Sequence, residues 1–233
     1  WLRHAARVAI ESQPVDQWAK KVFESNNTQA TITGAVALAR MGTQAYQEQI
    51  IASLLKIDFD SLKTQEKLGL LRAYALTFIR LGEPKAKDRE SVIAQLDPKI
   101  PAEEDDLNTE LLRVLVYLKA PGIITKGMAL IEKPSAKKIP TWQGDIISRN
   151  KGYARTINKL INDYPPVQKL GYAFILRNLK KGWTLDQRRT YISFLNSAAK
   201  HPGGNSYAKF LINIRGQVLA QLNSEDRVAL KDI

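Results

Sequence analysis

The sequence predicts an all-α fold, and three observations support that prediction. Apolar residues recur three or four positions apart along almost all of the 233 residues, which is the spacing of one helix face. No stretch combines apolar–polar alternation with the β-branched enrichment of a strand. Glycine and proline separate the periodic stretches, as they do at helix ends.

The first helices follow from these signals in order. The helix around Arg7 leads to Pro14, which we place at the start of a second helix because its missing N–H costs nothing there. A helix that ends at Gly42 is followed by one over residues 45–55. A longer helix ends at Gly82 and precedes one over residues 87–96. The expected apolar face of the longer helix comprises Leu68, Leu71, Ala75, Phe78 and Ile79.

The middle of the chain contains two more helices and then an interruption. Carboxylates at 103–106 precede a helix that begins near Leu107, where they complement the positive end of the helix dipole. The turn at Pro121 leads to a helix over residues 123–132. Residues 133–164 then break the pattern with a polar, proline-containing crossover, and we expect an elongated or inserted unit there.

The last helices resume after this interruption. Pro166 opens a helix that we expect to end at Gly182. Thr184 and Gln187 then have the spacing of a capping box, which predicts the start of the next helix. An apolar stripe over residues 207–222 predicts a further long helix, and Ser224 begins the expected cap of a final short one.

Helix ends that contain arginine recur along the chain. Arg7, Arg40 and Arg80 are 33 and 40 residues apart. Two helices per unit at this period are typical of HEAT-like and armadillo-like repeats, whose helix pairs bury their apolar faces by stacking. We therefore expect a right-handed α-solenoid of about five or six helix pairs. It would span residues 1–233 as a single repeat domain within a fragment of a larger protein.

The basic residues are concentrated in the second half. Residues 1–133 contain 18 Lys and Arg against 17 Asp and Glu, whereas residues 134–233 contain 17 against 6. This asymmetry is typical of a surface that meets nucleic acid, an anionic glycan or an acidic protein. A second interpretation is that one flank of a large protein faces an acidic neighbouring domain.

The sequence excludes several classes of catalytic site. Without cysteine there is no thiolate nucleophile, Cys-ligated metal or c-type haem attachment. His4 and His201 are the only imidazoles, and neither has a carboxylate at a spacing that would orient it. Phosphate loops, zincin motifs and nucleophile elbows are also absent. We therefore predict no catalytic residue, metal or cofactor, and no membrane span.

A candidate binding surface lies in the basic half, where the repeat is distorted. A guanidinium, an amide and a phenol fall within about one helical turn there and suit a carboxylate or a peptide backbone. The candidate binding residues are Arg149, Asn150, Tyr153, Arg177 and Asn178. The alternative is that Arg149 and Asn150 cap a helix. For Arg7, Arg40 and Arg80 we favour structural bonds to helix ends over a ladder that binds anions.

Several segments resemble one family. They are residues 1–7 (WLRHAAR), 148–153 (SRNKGY), 172–178 (YAFILRN), 182–184 (GWT) and 203–207 (GGNSY). The chain is similar over nearly its whole length to the HEAT-like region of large exported proteins of planctomycete-type bacteria. In that family the region accompanies a sorbosone-dehydrogenase-like or other β-propeller module and a C-terminal c-type cytochrome module.

The resemblance implies a role in architecture rather than chemistry. It implies a non-catalytic scaffold or protein-docking module in an exported, redox-associated multidomain protein, and hence the periplasm or another exported location. Its partners would be neighbouring domains of the same chain or another protein. The family's haem-attachment motif has no counterpart here because cysteine is absent.

Two alternative functions remain open. One is a nucleic-acid-binding protein of the HEAT-like DNA-glycosylase type, for which the basic half would contact phosphates. Asp186 near Trp183 is the sole carboxylate–indole pairing that would suit such an enzyme, although Asp186 also fits a helix terminus. The other is a protein that binds an anionic polysaccharide.

Overall fold

The computed structural model describes residues 2–134, 149, 152, 164–202 and 205–233. These residues form α-helices, short 3-10 helices and loops, and none of them lies in a strand, so the all-α prediction is confirmed. Contacts divide the chain into two compact units, residues 1–123 (unit 1) and residues 124–233 (unit 2). The prediction of one repeat domain over residues 1–233 stays a prediction.

Unit 1 is built from helices of between five and 18 residues. Its described α-helices are α1 (Leu2–Glu11), α2 (Ala19–Phe23), α3 (Thr28–Met41), α4 (Gln47–Leu55), α5 (Thr64–Leu81), α6 (Ala86–Leu96) and α7 (Asp105–Tyr117). Short 3-10 helices at Val15–Gln17, Gln44–Tyr46 and Asp97–Lys99 precede α2, precede α4 and follow α6. Pro14 therefore opens a 3-10 turn rather than α2 itself.

The helices of unit 1 pack in two rows. In one row α1 packs on α3, α3 on α5 and α5 on α7. In the other row α2 packs on α4 and α4 on α6. Contacts between the rows join α2 to α3, α3 to α4, α4 to α5 and α6 to α7, so the chain passes back and forth between the rows. The two rows bury apolar faces that neither row could bury alone.

Small residues and large apolar side chains together form the core of unit 1. A Cβ on Gly34 of α3 would lie 2.6 Å from the methyl carbons of Val22, so α2 crosses α3 where only glycine fits. On α5, Leu71, Tyr74 and Phe78 are buried, whereas Ile79 is 72% exposed. The expectation that Ile79 belongs to the apolar face was wrong, because the buried face of α5 runs through Leu71, Tyr74 and Phe78 instead.

Unit 2 contains the remaining described helices. They are α8 (Ile123–Glu132), which begins at the division between the units, α9 (Val167–Leu176), α10 (Leu185–Ala198), α11 (Asn205–Ala220) and α12 (Ser224–Ala229). A Cβ on Gly127 of α8 would lie 2.8 Å from a methyl carbon of Leu176, which places α8 directly against α9. α10 packs on both α9 and α11.

Two predicted helix boundaries in unit 2 are corrected. α9 ends at Leu176, and Gly182 lies in the following loop with a φ of 89°. Asn223 caps α12, because its side chain accepts a hydrogen bond from the N–H of Asp226, and Ser224 is the first helical residue. The predicted capping box of Thr184 and Gln187 is confirmed at the start of α10.

The predicted interruption falls mostly outside the described residues. Of residues 133–164, the structure describes 133, 134, 149, 152 and 164. The elongated unit predicted there stays a prediction. Within the described part of the chain, every helix is too short or too polar to cross a membrane.

Candidate functional site

Side chains join neighbouring helix pairs of unit 1 at a nearly constant sequence separation. The Gln47 amide donates to the carbonyl of Gly82 at 2.6 Å, and Lys99 pairs with Asp60 at 2.5 Å. These partners are 35 and 39 residues apart. Both separations are close to the predicted repeat length of 33 to 40 residues.

The three repeated arginines contact protein groups at helix ends. Arg7 and Arg40 both pair with the carboxylate of Glu11, at 2.8 and 2.9 Å, and the Glu11 side chain is only 10% exposed. The guanidinium of Arg80 donates to the carbonyl of Arg40 at 3.4 Å. Arg40 thus ties α3 to α1, and Arg80 ties α5 to α3. These are contacts of the structural kind that we favoured over an anion ladder.

Unit 1 also has a shallow cavity of about 270 Å³ beside the loop that follows α4. The Tyr74 hydroxyl donates to the Gln95 side chain at 2.8 Å, and the Gln95 amide donates to the carbonyl of Ile57 at 3.0 Å. Lys99 pairs with Asp60 at the same cavity. The polar groups at this cavity form hydrogen bonds and an ion pair with one another, so we assign them a structural role.

In unit 2, the predicted residue Arg177 lies against an aromatic pair. Its guanidinium carbon is 3.8 Å from the centre of the Phe174 ring, in cation–π geometry. The Phe174 ring also packs against Phe210 of α11, with ring centres 5.3 Å apart. Arg177 donates to the side-chain oxygen of Asn178 at 2.9 Å. The structure therefore brings together Arg177, Asn178 and two aromatic rings.

Two side chains from other segments bind backbone carbonyls at the end of α9, next to Arg177 and Phe174. The Tyr191 hydroxyl of α10 donates to the carbonyl of Ala173 at 2.6 Å. Burial raises the pKa of Tyr191 above its usual range, and the nearby Arg177 charge opposes part of that effect. On the other side, Gln221 donates to the carbonyl of Arg177 at 3.2 Å. The end of α9 is thus fixed to α10 and to the segment after α11.

The other predicted binding residues are placed only in part. Arg149 is helical and exposed, whereas Asn150 and Tyr153 lie outside the described residues. The assignment of Arg149, Asn150 and Tyr153 to a binding surface therefore stays a prediction. Phe174 and Phe210 were missed by sequence reasoning, although Phe174 lies three residues before Arg177, a spacing that places two side chains on one helix face.

No protein-family model, curated protein or solved structure matches this chain. The resemblance to exported cytochrome-associated proteins therefore stays a prediction.

The described residues around α9 to α11 are strongly basic. Residues 164–224 contain nine Lys and Arg but a single carboxylate, Asp186. Asp186 is exposed in the first turn of α10. The indole N–H of Trp183, the predicted partner of Asp186, donates to the carbonyl of Leu179 at 2.7 Å, and its ring packs edge-on against Tyr191. Trp183 therefore has a structural role between α9 and α10.

The described residues place the two histidines in separate surroundings. His4 lies 3.1 Å from the guanidinium of Arg7, and His201 lies in the bend after α10. Among the residues that the structure describes, no group of three or more His, Cys, Asp or Glu side chains could hold a metal ion.

Proposed function

We propose that this chain is a non-catalytic helical-repeat docking module, a right-handed α-solenoid of HEAT-like helix pairs. Two observations support the solenoid. The helices of unit 1 pack in two rows, and the contacts between Gln47 and Gly82 and between Lys99 and Asp60 span nearly one predicted repeat. Stacked helical repeats present extended surfaces to partners.

We propose further that unit 2 docks onto an acidic protein. The observation that carries this proposal is the distribution of charge. Unit 2 contains 19 Lys and Arg against 7 Asp and Glu, whereas unit 1 contains 16 of each. An excess of one sign favours a partner of the opposite sign and speeds its association. The exported, redox-associated setting is part of this proposal and rests on the family resemblance alone.

The experiment is a binding titration of the full chain with poly-L-glutamate. Three exposed lysines of unit 2 are reversed together as Lys180→Glu, Lys181→Glu and Lys209→Glu. A matched control reverses three exposed lysines of unit 1 as Lys21→Glu, Lys56→Glu and Lys87→Glu. Because both triple variants change the net charge equally, a difference between them reports the location of binding. We expect loss of binding only in the unit 2 variant.

Two further ligands test the alternative functions. Short duplex DNA and a sulfated polysaccharide are titrated over about 50 to 200 mM salt, because phosphate contacts give a steep salt dependence. If either ligand binds much more tightly than poly-L-glutamate at every salt concentration, the acidic-protein proposal is wrong. Equal loss in the two triple variants, or no binding of poly-L-glutamate at low salt, would also contradict it.

A further inference from the structure

An exposed apolar stripe runs along α9. Val167, Gly171 and Phe174 are spaced by four and three residues, which places them on one helix face. Val167 is 57% exposed and Phe174 is 39% exposed. A Cβ on Gly171 would meet no atom of the described residues within 4 Å, so within the described part of the chain the stripe has open space between its two larger side chains. Exposed apolar faces of this kind suit an apolar group from a partner.

The aromatic end of this stripe is held in place. The Arg177 guanidinium covers the Phe174 ring at 3.8 Å, and Phe210 packs on it from α11. A side chain fixed before binding loses less conformational entropy when a partner arrives. Phe174 is thus a preorganised contact at the end of the stripe.

Arg177 adds a charged group to this surface. It is half-buried, its described side-chain hydrogen bond goes to Asn178, and none of the described ion pairs includes it. A guanidinium has five N–H donors and binds carboxylates through two of them at once. Residues 164–224 supply only Asp186 as a carboxylate, against nine Lys and Arg. The charge around the stripe is therefore complementary to an acidic partner.

We propose that Val167, Gly171, Phe174 and Arg177 form the docking surface for an acidic peptide segment that carries one apolar anchor side chain. The anchor lies in the open space over Gly171, between Val167 and Phe174, and a peptide carboxylate pairs with Arg177. This inference rests on the proposed docking function and adds the surface and the partner chemistry.

A peptide fits this surface better than a nucleic acid does. Single-stranded nucleic acids bind proteins by stacking bases on free aromatic faces. The guanidinium of Arg177 already covers one face of Phe174, and the ring also contacts Phe210. The rest of the stripe is an aliphatic side chain and a glycine, which favour an apolar peptide side chain over a planar base.

The test uses two synthetic peptides of alternating Glu and Gly, one with a central Trp and one with Gly in its place. We expect the full chain to bind the Trp peptide roughly tenfold more tightly, because burial of the anchor adds apolar contact. The key variant is Gly171→Glu. It places a bulky, negatively charged side chain on the stripe, its Cβ meets no atom of the described residues within 4 Å, and it replaces glycine inside a helix with a better helix former. We expect it to abolish the preference for the Trp peptide.

Gly216→Glu is the matched control. Gly216 also lies inside a helix, and a Cβ on it would likewise meet no atom of the described residues within 4 Å. Gly216 is exposed, whereas Gly171 is partly exposed. It lies six residues after Phe210, so the two side chains point about 120° apart around α11, and Phe210 is the residue that contacts Phe174. The two variants therefore make the same chemical change on and off the proposed surface. Gly216→Glu should retain the preference for the Trp peptide.

Two more variants test the individual contacts. Phe174→Ala should remove most of the preference for the Trp peptide, and Phe174→Leu should restore part of it. Arg177→Gln should weaken the binding of both acidic peptides severalfold, since it removes the bidentate partner of the carboxylate. Thermal unfolding of each variant shows whether it is still folded, so that weaker binding can be assigned to the changed contact.

The outcomes distinguish the two levels of the proposal. If poly-L-glutamate binds through unit 2 but the two peptides bind equally, or Gly171→Glu has no effect, the docking surface is wrong and the docking function stands. If poly-L-glutamate does not bind the full chain, the proposed docking function is wrong, and the proposed docking surface is wrong with it. If a single-stranded oligonucleotide binds more tightly than the Trp peptide and is lost in Gly171→Glu, the surface recognises nucleic acid and the inference is overturned.

Discussion

The two units use their charged residues differently. Unit 1 has 16 basic and 16 acidic side chains, and several of its ion pairs connect helices that are far apart in sequence. Arg40 pairs with Glu11, and Lys99 pairs with Asp60. Unit 2 has 19 basic and 7 acidic side chains, and its described ion pair is Arg188 with Asp226 at 3.7 Å.

This difference fits the proposal that unit 2, rather than unit 1, binds a partner. The charges of unit 1 are largely balanced within the unit, so its surface has little attraction for an ion of either sign. Most cations of unit 2 have no carboxylate in the same unit to balance them. The two arginines also differ in burial, because the Arg188 side chain is 8% exposed and that of Arg40 is 46% exposed.

Replacing these two arginines should give the largest contrast between the units. Arg188→Ala removes a buried side chain that lies near Trp183 and pairs with Asp226, and we expect a loss of about 2–3 kcal/mol in the free energy of unfolding. Arg40→Ala removes a half-exposed side chain, and Arg7 still pairs with Glu11, so we expect a loss of about 1 kcal/mol or less. Urea unfolding measures both.

Arg188→Met separates packing from charge. The Nε atom of Arg188 is buried without a hydrogen-bond partner, so part of the cost of burying the guanidinium is not offset. Arg188→Met keeps most of the buried volume, and we expect a loss of less than about 1 kcal/mol. A loss as large as that of Arg188→Ala would mean that the charge of Arg188, rather than its volume, stabilises unit 2.

A matched pair of buried tyrosines gives the next largest effect. Tyr74→Phe leaves the side-chain oxygen of the half-buried Gln95 without its donor, so we expect a loss of about 1–2 kcal/mol. Tyr191→Phe removes one of two hydrogen bonds to the Ala173 carbonyl, which still accepts the helical N–H of Arg177. We therefore expect a smaller loss of about 0.5–1 kcal/mol in the free energy of unfolding. Equal losses at the two sites would show that the remaining hydrogen bond from the Arg177 N–H does not offset the loss of the Tyr191 hydroxyl.

The same tyrosines predict a loss of stability at high pH. Burial raises the pKa of Tyr74 and Tyr191 above the ordinary tyrosine value of about 10, so the phenols stay protonated in the folded protein when those of the unfolded chain ionise. Their contribution to stability is full below pH 10 and decreases above it. At one pH unit above 10, each should lower the free energy of unfolding by about 1.4 kcal/mol. Tyr74→Phe and Tyr191→Phe should each reduce this dependence between pH 9 and pH 11, measured by urea unfolding at each pH, and an unchanged slope would contradict the burial argument.

The features predictable from sequence were those that depend on local chemistry. The helix Ile123–Glu132 and the capping box at Thr184 follow from turn residues and side-chain caps within a few positions. The exposure of Ile79 did not follow, because it depends on where the neighbouring helices contact α5. The hydrophobic periodicity of a helix predicts which side of the helix is apolar. It does not predict which residues at the boundary of that side are buried.

The candidate site was predictable to a similar extent. Arg177 and Asn178 were found from charge and position, and the spacing of Phe174 from Arg177 offered a local signal for the cation–π contact. The contact of Phe174 with Phe210 joins residues 36 positions apart, and it follows only from the folded arrangement of α9 and α11. Sequence reasoning therefore named the charged residue of the proposed surface and missed the aromatic one, and the binding role of both stays a prediction.

The smallest expected effect tests how little the exposed charges of unit 1 contribute. Lys119 follows α7 with a φ of 55°, a left-handed conformation that favours glycine. Its N–H and that of Ala120 donate to the carbonyls of Val116 and Leu115, as in a Schellman motif that ends a helix. Lys119 also pairs with Glu83, but at 3.8 Å and with both side chains more than 60% exposed. The backbone strain and the ion pair therefore act in opposite directions at one residue.

Lys119→Gly removes both the strain and the ion pair. Relief of the left-handed conformation should outweigh the loss of an exposed pair, so we expect the free energy of unfolding to rise by up to about 1 kcal/mol. Lys119→Ala is the control, because it removes the same charge and keeps the strain, and we expect a change within about 0.5 kcal/mol. Thermal unfolding at low and high salt separates the two contributions, since salt weakens only the ion pair. If Lys119→Gly is less stable than Lys119→Ala, the strain is not relieved by glycine. If both variants lose more than about 1 kcal/mol, the exposed ion pairs of unit 1 stabilise it more than their geometry indicates.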